Sequence, residues 1–161
     1  MTDKLRRGLA AYHIIGALAG LISSVEALPD NTNRSVSLAL VLASVGLFAS
    51  MGAAGILLAR QHRRGPLLAS AVQAFLLPMA ATPWLTYKAY GPVGLTIAIN
   101  FLNGAVNLEG TLGAGLEVQG HTGARSAIVG INMAALCALI LVLRSPAGVR
   151  PLPESGGLVT R

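Results

Sequence analysis

The chain has 161 residues, 53% of them apolar and only 11% charged, with a formal net charge of +6. A soluble domain carries roughly 25% charged residues, so this composition excludes an ordinary water-soluble globule and points to a bilayer as solvent. The basic surplus flanks apolar runs instead of lining a polar face, which is a topology signal and argues against a nucleic-acid partner.

The first apolar run, about 5–28, follows Lys4, Arg6 and Arg7 and ends before Pro29, Asp30 and Asn31. Its basic start has the form of a signal peptide, and Val25 and Ala27 suit a cleavage site. A signal h-region is typically only ~7–15 residues, however, and this longer run carries Gly16 and Gly20 at helix-packing spacing. It reads as a retained span. His13 lies two turns inside it, where ionisable groups often serve function; the plainer expectation is a neutral imidazole bonded to a neighbouring helix. No second histidine sits at matching depth, so no haem and no other cofactor is expected. Glu26 is the acid near the outer end.

The second run, about 36–59, holds no charge and is rich in small residues, with Gly46 and Ser50 four apart. It stops at the basic stretch 60–64. A third span is predicted at about 66–85, opening on Pro66, which suits a helix's first turn, and kinked at Pro78 by a lost hydrogen bond and a ring clash. Gln73 is its polar residue. Trp84, Tyr87 and Tyr90 follow as an interfacial aromatic belt.

From 91 to 125 the pattern changes. Leu95, Ile97, Ile99 and Phe101 alternate with Thr96, Ala98 and Asn100, the period of a half-buried strand. Asn103-Gly104 is a hairpin signal, and 105–109 and 112–118 supply two further short strands divided at Gly110. A small β-hairpin or three-stranded cap is expected, lying at or above the outer interface because lipid does not tolerate an open strand edge. The rival is a re-entrant or interfacial helix over 92–108, against which the glycines weigh. Glu109, Glu117 and His121 in this cap match no metal-binding spacing, so no metal is expected.

The fourth span is predicted at 126–143, with Gly130, Ala134 and Ala138 as its packing face and Asn132 as its polar residue. Cys137, the sole cysteine, lies inside it, which leaves no disulfide or redox pair. Residues 146–161 are rich in proline and glycine and read as a disordered tail. Lys4, Arg6, Arg7, Arg60, Arg63, Arg64, Arg144, Arg150 and Arg161 fall on one side, against Arg34, Lys88 and Arg125 on the other. The positive-inside rule then places both termini in the cytoplasm of a bacterial-type inner membrane.

The expected fold is thus all-α. Residues 1–145 form one antiparallel four-helix transmembrane bundle with a small extracytoplasmic β cap between helices 3 and 4. Gly16, Gly20, Gly46, Ser50, Gly130, Ala134 and Ala138 specify close helix packing, while Gln73 and Asn132 bridge helices. No nucleophile–base pair, P-loop or paired-carboxylate pattern is present. The expected function is a non-catalytic accessory or assembly subunit of a larger membrane complex, partnered by lipid and by other subunits or itself. The alternative is a small oligomeric transporter or channel using Glu26 and His13.

Overall fold

The computed structural model describes residues 2–26, 34–120 and 127–144. Two of its helices, α1 (Asp3–Glu26) and α2 (Arg34–Ala59), are long and apolar enough to cross a membrane. At 1.5 Å per residue they are about 36 and 39 Å long. They pack closely because glycine removes side chains from the seam. A Cβ on Gly16 would lie 2.5 Å from Met51 Cε and 2.6 Å from Pro92 Cδ, and one on Gly20 would enter the Phe48 ring. From the other side Gly55 lets α2 approach the Ala10 carbonyl. The Ser24 and Ser44 hydroxyls, both buried, bond across the seam at 2.6 Å.

The C-terminal end of α2 turns sharply. Gln61 adopts a left-handed conformation with φ 56, and the His62 N–H donates to Leu57 O at 2.9 Å, the pattern that closes a helix C-terminus. Arg6 of α1 donates to the Ala59 carbonyl at 3.3 Å, setting a cation on the negative end of the helix dipole.

The four-helix bundle expected from the sequence is not the fold, because the predicted third and fourth spans are helical for only part of their length. Helix α3 (Gly65–Leu76) stops two residues short of Pro78, which begins strand β1 (Pro78–Ala81). Proline there ends the helix instead of kinking it: it cannot donate to the turn behind, and as a strand's first residue it loses nothing. The fourth run begins as strand β6 (Ile128–Asn132) and becomes helix α4 (Met133–Leu143) only afterwards. Ile128, Val129 and Ile131 favour extended backbone. Asn132 then caps α4, its Oδ1 accepting from the Ala134 and Ala135 N–H groups at 3.1 and 3.2 Å. Gly130 therefore lies in a strand over Ala98, not on a helix-packing face.

The β structure is accordingly larger than a cap. With β2 (Leu85–Tyr90), β3 (Val93–Asn100), β4 (Val106–Leu112) and β5 (Gly115–Gly120) it forms one antiparallel six-stranded sheet, ordered β4-β3-β6-β1-β2-β5. The Asn103-Gly104 hairpin joins β3 to β4, with Gly104 at φ 66. Strand β4 runs through Gly110, where a break was expected, and the chain turns instead at Gly113, φ 118.

The sheet is rolled. Gly113 and Ala114 alone connect its two edge strands, which a flat sheet would hold about five spacings of 4.8 Å apart, while a two-residue link reaches at most ~11 Å. Gly91 and Pro92 likewise join β2 to β3 across two intervening strands. The Gly113 N–H donates to Pro92 O at 3.0 Å, tying both links into one floor. That floor rests on the helices: Pro92 abuts Gly16, Gly91 abuts the Tyr12 hydroxyl, and Ala114 is buried with Ala17, Phe48 and Met51. A second apolar cluster, with Leu9, Ala54, Leu58 and Val142, packs among the helices below.

Gly16→Val should destabilise the protein by roughly 1–3 kcal/mol, because both Met51 and the rigid Pro92 ring must move. Gly46→Val should be near neutral, since nothing lies within 4 Å of a Cβ there. Denaturant titration of the detergent-solubilised variants measures both.

Candidate functional site

Residues opposite each other in a ladder point to the same face, so the registers sort the sheet into two sides. One side holds Val93, Leu95, Ile97 and Ile99 of β3, Val106, Leu108 and Leu112 of β4, and Val129 and Ile131 of β6. The other holds Thr96, Glu109, Thr111 and Asn132, continuing through Met79 to Lys88 and Glu117. The apolar side faces outward, its β3, β4 and β6 residues 40–89% exposed, and the polar side faces the inside of the roll. A water-soluble barrel has the opposite arrangement; apolar-out and polar-in is what a lipid-facing sheet requires.

The inner face is a chamber. Lys88 on β2 forms an ion pair with Glu109 on β4. Those strands are four places apart, about 19 Å if the sheet were flat, so the pair exists only because the sheet curls. The Lys88 ammonium also lies 5.7 Å from the centre of the Tyr90 ring. Tyr90 lies across Gly115 and Thr111 across Gly94, each occupying the space a glycine leaves free. Glu117 faces Lys88 directly in the ladder. The chamber thus holds one lysine between two carboxylates, beside hydroxyls and an amide. Thr111 Oγ1 and Asn132 Nδ2 are buried without a partner among the described residues.

Beneath the floor lies a second polar contact. His13 and Gln73 are both fully buried and bond at 3.1 Å. Since the Leu9 carbonyl, 2.7 Å from Nδ1, can only accept, the proton sits on Nδ1 and the Gln73 amide donates to Nε2. Tyr12 meets the imidazole edge-on with centroids 5.6 Å apart. The Gln73 Oε1 and Tyr12 hydroxyl oxygens have no partner among the described residues.

The structure therefore brings His13 and Gln73 together, and makes Asn132 a helix cap instead of a bridge between helices. Glu26 ends α1, its side chain outside what is described. Gly16 and Gly20 face α2; Ser50 instead bonds the Gly46 carbonyl of its own helix at 2.8 Å. Ala138 is buried among the helices and Ala134 is half-buried in the first turn of α4. Glu109 is engaged by Lys88, His121 lies outside the described residues, and among those described no three metal-ligating side chains gather. Trp84 stands 74% exposed at the rim, whereas Tyr90 lies at the opposite end, inside. Sequence reasoning missed Lys88, Tyr90, Glu109 and Thr111 as a group. Their signal was polar residues at every second position in 86–90 and 107–111, too short to stand out alone.

Compared with protein-family models, with curated proteins and with solved structures, the chain matches none.

Lys88→Met should leave the Glu109 carboxylate without its ion-pair partner, and adding Glu109→Gln should recover part of the loss. A double-mutant cycle in unfolding free energy should give a coupling of about 0.5–3 kcal/mol. Gln73→Leu, which strands the buried His13 Nε2, should cost roughly 1–3 kcal/mol in the same assay.

Proposed function

We propose that this is a non-catalytic integral membrane protein, an accessory or assembly subunit that docks onto a second membrane subunit through the free edge of β4. The carrying observation is that edge. Strand β4 pairs only with β3, whereas the other edge strand, β5, lies against α1 and α2. Val106, Leu108 and Leu112 on β4 are 67, 70 and 89% exposed, so the edge is set in apolar surface.

Dimensions support a membrane setting. Taken with their strands at about 3.3 Å per residue, α3–β1 and β6–α4 each cover roughly 31–33 Å, close to the ~30 Å hydrocarbon core. Trp84, Phe101 and Leu102, 67–74% exposed, mark the hairpin tips at one rim, where interfacial aromatics belong. The basic residues 60–64 and Arg144 lie at the other end, which the positive-inside rule assigns to the cytoplasm. In that setting the unpaired N–H and C=O groups of β4 each cost several kcal/mol in lipid. A partner that adds an extended segment to β4 removes the cost.

The alternative, a transporter or channel, draws on the polar chamber. Its floor, however, is Gly91, Pro92 and Ala114 on packed Phe48 and Met51, and the polar groups below, His13 and Gln73, bond each other. The chamber is a blind recess, which suits recognition better than passage.

Extraction in a mild detergent followed by native mass spectrometry should show the chain in a defined larger assembly. Leu108→Arg, which sets a charge on the docking edge, should lower the assembled fraction about tenfold, equivalent to ~1.4 kcal/mol. A wild-type chain running as a lone protomer in that experiment overturns the reading.

A further inference from the structure

Three of the four seams around the helices are closed: α1 on α2, α2 on α3, and α3 on α4. The fourth, between α1 and α4, stands open as a groove of about 580 Å³. Leu5 and Leu9 of α1 and Ala138 and Leu141 of α4 form its apolar walls, and Thr2 and Lys4 stand at its mouth. Cys137 lines it and is exposed.

We propose that this groove binds one anionic phospholipid, an acyl chain lying between α1 and α4 and the phosphate meeting Lys4. The argument joins shape to charge. Along the walls the polar atoms are the buried Tyr12 hydroxyl and the weakly polar Cys137 thiol, whereas the mouth offers an exposed ammonium beside the Thr2 hydroxyl, with Arg7 three residues on and also exposed. An apolar tail with an anionic head complements that gradient. The Lys4 stem can lie along the groove while its charge stays at the headgroup level, where basic residues are attracted to an anionic surface. This inference rests on the membrane reading above and is independent of the β4 partner.

Cys137 makes the test direct, being the only thiol in the chain. The full-length protein is delipidated in mild detergent, and the rate of Cys137 modification by a small maleimide is measured with phosphatidylglycerol or phosphatidylcholine in the micelle. Phosphatidylglycerol should slow the reaction at least about fivefold more than phosphatidylcholine, roughly 1 kcal/mol of preference. Lys4→Gln should abolish the difference, while Arg63→Gln, away from the groove, should leave it intact. Both residues are exposed, so the fold should tolerate either change. Equal protection by the two lipids, a difference that survives Lys4→Gln, or protection only in a complex with another protein would each overturn the proposal. A chain that stays in solution without detergent would instead overturn the membrane reading itself, and the two failures are therefore distinguishable.

Discussion

A helix that stops halfway through an apolar layer leaves carbonyls and N–H groups without partners, and the chain does this twice, after Leu76 and before Met133. The architecture depends on each break answering the other. The Asn132 N–H donates to Leu77 O at 2.9 Å, and directly beyond that bond Pro78 faces Ile131 and Met79 faces Gly130 in an antiparallel ladder. Each half-helix hands its strand to the other's, so helical bonding passes into sheet bonding without an orphaned stretch. Once β1 and β6 are paired, their outer sides require β2 and β3. The sheet then curls because links of only two residues join strands that are not neighbours in it.

That requirement explains what was legible in the sequence. Two of the four expected spans, α1 and α2, are helices of spanning length, whereas the third and fourth apolar runs are each divided between a short helix and a strand, because hydropathy records polarity and length. It does not record how the backbone bonds. Pro78 carries a signal that permits a kinked helix or a helix stop, and only its distant strand partner, Ile131, decides for the stop. Ile128, Val129 and Ile131 are β-branched, yet such residues are common in lipid-facing helices too. The alternation in β3 was readable because eight residues in period two exceed chance, whereas β1, with four, carries no period at all.

The chamber was invisible for a related reason. Lys88 read as a positive charge of an outer loop and Glu109 as a polar cap residue, each plausible alone. Their meeting is a property of curvature, and curvature follows from links of two residues between strands that are not neighbours. By contrast His13 and Gln73 stood out because a polar side chain in an apolar run is conspicuous, although their mutual bond was not foreseeable from positions 60 residues apart.

The same insertion that rolls the sheet also accounts for the open seam below it. Gly16 has no side chain, so the floor link at Pro92 seats directly on α1, and Ala114 and Ala89 fill the space between the upper parts of the helices. A bundle in which all four members were full-length helices would close that space with side chains from α4. Here α4 has only 11 residues and presents the small side chains of Ala134, Ala135 and Ala138 in its first turns. The floor that seals the chamber from beneath thus stands above an unfilled seam between α1 and α4. A cleft of this origin is built into the helix-to-strand design.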